Sequence, residues 1–173
     1  MHPVFAKQLK KMIEKKDTEK IKETTQDFFE KMTVEVSDIE IVVSSDKKNP
    51  EEENREVVDL NVKLDEPQIL IGQQGQTLFE IQRLLKTILN KKLQKVFYLN
   101  LDINDYKNKK VEYLKDLAKS LADQVALKKE EKILPPMSAY ERRIIHAELS
   151  QRADVVTESQ GDSFNRCVVI RPK

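Results

Sequence analysis

The sequence predicts an α+β protein made of two small domains, and three observations lead to this fold class. The chain has 173 residues, of which 39% are hydrophobic and none is tryptophan, so it fills two small aliphatic cores more readily than one large core. The spacing of its apolar residues switches repeatedly between the period of a helix and that of a strand. Two of its three glycines, Gly72 and Gly75, stand three residues apart where two such stretches meet.

The composition predicts a reducing aqueous compartment. The single cysteine, Cys167, has no second cysteine in the chain with which to form a disulfide. No run of eighteen apolar residues is present to span a bilayer. Lysines interrupt the first thirteen residues, which argues against a signal peptide. We therefore expect a cytoplasmic protein with no integral membrane segment.

The first elements follow from periodicity. Apolar residues at helical spacing predict a short amphipathic helix from Val4 to Ile13, which we expect to pack on its own domain rather than on a membrane, and a second helix from Thr18 to Met32. The period then becomes two, which predicts a strand from Val34 to Val43 with a change of phase at Ser37 and Asp38. An exposed polar loop is expected from Ser44 to Asn54.

A second strand is predicted where apolar and polar residues alternate from Val58 to Leu64, so that these two strands form a ribbon. Pro67 ends that strand, and a short turn leads to the glycines. A long helix from Gln76 to Leu93 and a third strand from Phe97 to Ile103 complete the first domain. The apolar stripe predicted for the long helix is Leu78, Ile81, Leu84, Leu85, Ile88 and Leu89.

The glycine turn is the first candidate site. Glycine permits positive φ and close approach by another chain, and a helix that begins at such a turn presents free N–H groups to an anion. The turn is therefore predicted to seat a nucleic-acid phosphate, although a plain turn between two helices has the same pattern. The candidate residues are Ile71, Gly72, Gln73, Gln74, Gly75 and Gln76, with Arg83 and Lys86 on the helix that follows.

Charge is unevenly distributed along the chain. Residues 35–66 contain eleven acidic and four basic residues, whereas residues 82–110 contain eight basic and two acidic ones. Such segregation favours a polyanionic partner for the second stretch, and a solvated lysine face is its ordinary alternative.

The second domain begins with a helix predicted from Asp105 to Lys128, followed by a turn at Pro135 and Pro136. The next helix is predicted from Ala139 to Leu149, because Ser138 and a glutamate three residues later form a capping box. Arg142 and His146 lie four residues apart and therefore share one face of this helix. A guanidinium holds phosphate bidentately and an imidazole stacks on a base, but such a pair alone is weak evidence of function.

The order of elements around Leu70-Ile71-Gly72-Gln73-Gln74-Gly75 resembles a type II KH domain over residues 18–103. The later run from Pro136 to His146, with Val156–Gly161 and Asn165–Pro172, resembles the Arg-xxx-His domain, named for an arginine and a histidine separated by three residues. The two domains in this order resemble the bacterial Jag family, also called the KhpB or SpoIIIJ-associated family. The resemblance implies residues 1–17 as an N-terminal helix or linker, residues 18–103 as a three-stranded sheet covered by helices, and residues 104–173 as an α/β domain with a leading connector helix.

The family implies a site as well as a fold. Arg142 and His146 would form its binding pair, Arg143 and Arg166 would be basic neighbours, and a hairpin would close around Gly161. Single-stranded RNA is the implied ligand, with single-stranded DNA as an alternative, and regulation of cell elongation or division is the implied setting. A small single-KH protein is the implied partner, while self-association stays open.

This sequence departs from the KH pattern at the glycine turn, where Gln73 and Gln74 replace the usual basic residues. Glutamine donates hydrogen bonds to phosphate but releases no counterions, so weaker and less salt-dependent binding is expected. An adaptor whose degenerate KH domain docks a protein is therefore the competing hypothesis. Relatives also often carry an extra N-terminal domain, to which only residues 1–16 correspond here.

Enzyme classes find little support in the composition. Two histidines and one cysteine do not supply a three-histidine metal site or a zinc cluster. Three glycines in total leave no P-loop or dinucleotide fingerprint. Cys167 stands in an apolar run, where a structural thiol is the expected state rather than a nucleophile activated by His146. We therefore predict a binding protein with no catalytic residues, no metal and no cofactor.

Overall fold

The computed structural model describes residues 13–46 and 55–173. The helix expected over Val4 to Ile13 and most of the expected loop from Ser44 to Asn54 lie outside these residues. The chain divides into two compact units whose boundary falls between Tyr106 and Lys107. The division lies close to the domain boundary expected after Ile103.

The N-terminal unit has one three-stranded sheet. Its elements are α1 (Lys15–Lys31), β1 (Asp38–Asp46), β2 (Arg55–Lys63), α2 (Gln68–Ile71), a 3-10 turn (Gln73–Gly75), α3 (Gln76–Leu93) and β3 (Tyr98–Ile103). The strand order is β1-β2-β3, in which β1 and β2 are antiparallel and β2 and β3 are parallel. Because a parallel pair needs a long crossover, the segment from α2 to α3 carries the glycine turn from one strand to the next.

The core of this unit lies between the sheet and its helices. Alternate residues of β2, namely Val58, Leu60 and Val62, are buried, as expected for a strand with one face on a core. The buried stripe of α3 is Leu78, Ile81, Leu85 and Leu89. The prediction was wrong for Leu84, which is 54% exposed, because its position falls at the margin of the stripe and turns away from the sheet.

The start of β1 also differs from the prediction. The strand begins at Asp38 rather than Val34. Thr33 has a φ of 60°, and the Val34 N–H donates to the Phe29 carbonyl at the end of α1. Residues up to Ser37 are therefore used to end the helix and turn the chain, so their alternating pattern does not belong to the sheet.

Asn104 fixes the end of β2 that leads into the glycine turn. Its side-chain amide donates to the Leu64 carbonyl over 2.6 Å, and its side-chain carbonyl accepts from the Leu64 N–H over 3.0 Å. The Asn104 backbone N–H also donates to the Val62 carbonyl. The amide side chain thus continues the ladder beyond the last strand residue and holds the start of the crossover in place.

The C-terminal unit has a second three-stranded sheet. Its elements are α4 (Tyr106–Lys128), β4 (Lys132–Ile133), α5 (Ala139–Leu149), β5 (Val155–Gln160), a 3-10 turn (Ser163–Asn165) and β6 (Cys167–Pro172). The sheet order is β4-β6-β5, and both pairs are antiparallel. The hairpin expected around Gly161 is present, whereas the two-residue β4 was not predicted, because two residues are too few to show a period.

The leading helix of this unit is part of its core rather than a bare connector. Leu114, Ala118, Ala122 and Val125 of α4 are buried with Ile145 of α5. This burial corrects the expectation of a connector helix. It also explains why the apolar stripe of α4 continues over several turns, since its length has a packing partner.

Gly72 offers a test of the fold around the turn. Its φ of +68° is accessible mainly to glycine, and an added Cβ would lie 2.0 Å from Oγ1 of Thr77. We expect Gly72→Ala to lower the free energy of unfolding of the N-terminal unit by about 1–3 kcal/mol. Urea denaturation followed by the NMR signals of β2 measures this loss.

Gln73→Ala is the matched control for this substitution, because Gln73 is exposed in the same turn. The control is expected to unfold at nearly the wild-type urea concentration. Equal unfolding midpoints for Gly72→Ala and wild type would contradict the account of the turn.

Candidate nucleic-acid interface

The start of α5 is fixed by a capping box and a buried carboxylate. The Ser138 N–H donates to Oε2 of Glu141 over 2.8 Å, and the Glu141 N–H donates to Oγ of Ser138 over 3.3 Å. Glu141 is only 7% exposed, and its Oε1 lies 3.3 Å from Nζ of Lys110 on α4. The capping box confirms the predicted helix start, and the ion pair sets the position of α5 on α4.

His146 ties α5 to β5 through both of its ring nitrogens. Nδ1 lies 2.7 Å from Oγ1 of Thr157, and Nε2 lies 2.7 Å from Oγ of Ser159. Thr157 and Ser159 are alternate residues of β5 and therefore face the same side of the strand. One ring nitrogen donates and the other accepts, in a direction set by the tautomer.

The imidazole of His146 favours its neutral form. Burial lowers its pKa from the ordinary value of 6.5, and the charge of Arg142 lowers it further. A neutral ring whose two nitrogens are already bonded does not serve as a cation for phosphate at neutral pH. The geometry instead makes His146 a positioning residue, with its ring face left for contact.

Arg142 lies one helical turn before His146 and is partly buried. Its Nε is buried and has no hydrogen-bond partner within the described residues. Arg143 and Arg166 are less enclosed, and Arg166 is exposed. The carbonyl of Arg166 accepts from the Met137 N–H over 3.1 Å, which places the backbone of Arg166 beside the segment that leads into α5. Among the described residues, none of these three arginines has a carboxylate within 4.0 Å.

Two other arginines of the same unit behave differently. Arg152 donates through Nε and Nη2 to both carboxylate oxygens of Asp154, over 2.9 and 2.6 Å, and through Nη1 to Asp123. The hydrogen bonds from Arg152 lower the pKa of Asp154 to about 2. Arg171 similarly joins Glu131 and Glu158.

The arginines of this unit therefore form two groups. Arg152 and Arg171 are neutralised by carboxylates within the fold, whereas the three that the sequence selected as binding residues are not. An unneutralised guanidinium has its hydrogen-bonding fork available for a phosphate.

The glycine turn of the N-terminal unit is shaped by packing. Gly75 has a φ of +83°, and a Cβ there would lie 3.1 Å from Cε1 of Tyr106. Gly72 is likewise crowded by Thr77. Both glycines are thus required by close contacts within this unit, so their presence alone does not indicate a ligand. A charge introduced at Gly72 would test folding rather than binding.

The side chains of the turn nevertheless face solvent. Gln73, Gln74 and Gln76 are exposed, and Gly75 begins α3 without a side-chain cap. Ile71 is partly buried and packs against the core. Leu64 and Leu78, which sequence alone did not assign to either a groove or the core, are only 4% and 3% exposed and belong to the core.

Much of the positive charge downstream of the turn is held within the unit. Arg83 pairs with Glu80 over 3.1 Å, and Nζ of Lys86 lies 4.9 Å from the centre of the Tyr98 ring. Lys95 forms a largely buried ion pair with Asp17. Arg83 and Lys86 do lie on α3 after the turn, as expected, but the basic stretch is less open to a polyanion than its charge count predicts.

Sequence reasoning missed several exposed apolar side chains. Ile69 on α2 and Phe79 on α3 are 78% and 56% exposed beside the turn, and Phe164 in the C-terminal unit is 93% exposed. Periodicity had no means of finding them, because a single apolar residue outside a buried stripe looks like a residue of another stripe.

Two classes of site find no support in the described residues. No group of three or more His, Cys, Asp or Glu side chains in this part of the chain is arranged to hold a metal ion. No helix in residues 13–46 and 55–173 is long and apolar enough to cross a bilayer.

Comparison with known proteins bears on the C-terminal unit first. The family model of the Arg-xxx-His domain, written R-3-H in its own shorthand, matches residues 112–172, which contain Arg142, Arg143, His146 and Arg166. The chain therefore carries an Arg-xxx-His domain, and the geometry above describes how that domain holds its arginine and histidine.

The relatives extend the similarity into the N-terminal unit. A protein from Clostridium symbiosum named RNA-binding protein KhpB is 40% identical over 121 residues, which cover 70% of this chain and 54% of the relative. Proteins of the same name from Bacillus subtilis and Streptococcus pneumoniae are 36% and 33% identical over 70% and 77% of this chain. These segments cover 60% and 39% of the relatives, so the chain spans about half the length of the curated relatives it matches.

The position of His146 leads to a prediction about pH. Because its pKa is lower in the folded chain than in the unfolded chain, the unfolded chain takes up the proton first as pH falls below about 6.5. The stability that His146 contributes is therefore present above that pH and is lost as pH falls through the lowered pKa. The difference in free energy of unfolding between wild type and His146→Gln should shrink from about pH 7.5 to about pH 5.

Urea denaturation of both proteins at each pH gives this difference, and the glutamine variant accounts for every other titrating group, His2 included. A difference that stays constant or grows on acidification would show that the ring is not held in its neutral form.

Proposed function

We propose that this chain, whose similarity to KhpB proteins supports membership of the Jag family, binds single-stranded RNA in the cytoplasm without catalysing a reaction. The Arg-xxx-His domain is the main binding module in this proposal. The curated relatives are named RNA-binding proteins, and the arginines of the C-terminal unit supply the corresponding chemistry in this chain.

One observation carries the proposal. Arg142, Arg143 and Arg166 lack a carboxylate partner among the described residues, although other arginines of the same unit have two each. A partly buried guanidinium with an unbonded Nε is costly unless a ligand completes its hydrogen bonds. A phosphate diester offers two oxygens in the geometry of the guanidinium fork.

His146 has a supporting role in this proposal. Its bonds to Thr157 and Ser159 hold α5 against β5, so that Arg142 is presented at a defined position. The imidazole contributes a ring face rather than a charge. Such a site recognises phosphate and a base plane, which single-stranded DNA also offers, so RNA is preferred only if the 2′-hydroxyl is contacted.

The N-terminal unit, over about residues 18–103, is proposed to be a type II KH domain. The order of its elements and the position of the turn between α2 and α3 support this assignment. Residues 71–76 would position the strand, with Arg83 and Lys86 nearby. Because Gln73 and Gln74 carry no charge, this site is expected to bind weakly and to depend on the Arg-xxx-His domain through effective concentration.

Docking of a protein partner is the second candidate role of the N-terminal unit. Ile69, Phe79 and Val96 are 78%, 56% and 77% exposed, which favours contact with an apolar surface. A small single-KH protein is the partner that the family resemblance implies. Regulation of cell elongation or division would follow from the RNAs bound, and self-association is a further option for the same surface.

The unpaired arginines provide the test. We expect Arg142→Ala with Arg166→Ala to weaken binding of a single-stranded RNA oligonucleotide by about tenfold or more, because two phosphate contacts are lost. The dependence of log affinity on log salt should also fall by about 1 to 1.5, since fewer counterions are released. Fluorescence anisotropy at several salt concentrations measures both quantities.

Arg152→Ala is the matched control, because it removes the same charge from the same unit at an arginine paired with Asp123 and Asp154. It should reduce thermal stability and leave the salt dependence nearly unchanged. Wild-type affinity in the folded double variant would refute RNA binding by the Arg-xxx-His domain.

A further inference from the structure

Phe164 is the most exposed large apolar side chain among the described residues, at 93%. It stands in the 3-10 turn Ser163–Asn165, which joins β5 to β6. A phenylalanine in this position contributes almost nothing to the core of the unit. Its side chain therefore has another use or none.

The turn around Phe164 is closed by its own backbone. The Asn165 N–H donates to the Asp162 carbonyl over 3.0 Å. Gly161 has a φ of +86°, and a Cβ there would lie 2.7 Å from the Asn165 carbonyl oxygen. These contacts hold the turn without help from the ring, so the aromatic side chain is displayed outward on a defined support.

The turn lies at the end of the sheet that carries the candidate site. Gln160 and Cys167 form the last pair of the hairpin, next to Ser159, which bonds His146. Arg166 follows Phe164 by two residues, and its backbone is bonded to the segment before α5. Phe164 thus occupies the loop between a strand that holds His146 and an unpaired arginine.

We propose that Phe164 is a stacking platform for one nucleobase of the strand whose phosphates Arg142 and Arg166 bind. The inference rests on the proposed function and extends it to a residue outside the arginine and histidine pair. An exposed ring stacks on any base, so this contact adds affinity with little sequence preference. It also favours single strands, because bases within a duplex are already stacked on one another.

The neighbouring charges favour a nucleobase over an apolar protein surface. A base is tethered to phosphate, and an unpaired guanidinium lies within a few residues of the ring along the chain. A protein docking on Phe164 would need acidic groups to satisfy Arg166 as well. We therefore commit to nucleic acid as the occupant, and a protein partner becomes an outcome of the test.

The chain has no tryptophan, so Phe164→Trp introduces a single reporter at this position. We expect its fluorescence to be quenched on adding a single-stranded RNA of about 12 nucleotides, because an indole stacked on a base loses emission. Leu127→Trp is the control, since Leu127 is 83% exposed on α4. An abasic strand with the same number of phosphates tests whether bases are needed, and it should leave the emission of Phe164→Trp unquenched.

Affinity supplies the second measurement. Phe164→Ala should weaken binding of the base-bearing strand by about tenfold and leave binding of the abasic strand unchanged. Phe164→Trp should bind at least as tightly as wild type. Circular dichroism confirms that both variants fold, which is expected for an exposed side chain.

The outcomes separate this inference from the proposed function. Weaker binding in Arg142→Ala with Arg166→Ala, combined with unchanged affinity in Phe164→Ala and no quenching in Phe164→Trp, would overturn the stacking role alone. No binding of any strand by wild type would overturn both. Loss of a protein partner from Phe164→Ala, with RNA affinity intact, would assign the ring to protein docking and overturn the inference.

Discussion

The two hydrogen bonds that His146 makes to Thr157 and Ser159 hold together the surface on which the rest of the C-terminal unit depends. They join the middle of α5 to alternate residues of β5 and so determine which way the helix faces. Burial keeps the ring neutral, which lets one nitrogen donate while the other accepts. As a result, Arg142 is presented one turn away in a fixed orientation. The histidine of the Arg-xxx-His signature thus has a structural reason to accompany its arginine.

Charge pairing separates the cations that stabilise this fold from those that are open to a ligand. Arg152 and Arg171 each join two carboxylates and link successive elements of the C-terminal unit, whereas Arg142 and Arg166 are left without such partners among the described residues. Lys95 in the N-terminal unit belongs to the first group, because its ion pair with Asp17 is largely buried. Net charge along a stretch of sequence does not reveal this division, since carboxylates distant in sequence complete the pairs.

Local signals in the sequence were sufficient where one short motif controls an element. Both α3 and α5 have the predicted bounds, since a glycine turn and a capping box mark their starts. The start of β1 was misplaced, because the left-handed turn at Thr33 has no signature beyond its immediate contacts. The role of Gly75 was incomplete for a similar reason: the residue that crowds it, Tyr106, is distant in sequence. Phe164 was missed because exposure becomes visible only when the core is known.

The central claim is that the unpaired arginines of the Arg-xxx-His domain form the RNA contact. The most direct measurement follows the arginine Nε–H signals of the full chain by NMR while a single-stranded RNA is added. The account predicts that the signals of Arg142, Arg143 and Arg166 shift together, while those of Arg152 and Arg171 stay in place. Shifts confined to the paired arginines, or no shift in the presence of bound RNA, would contradict it.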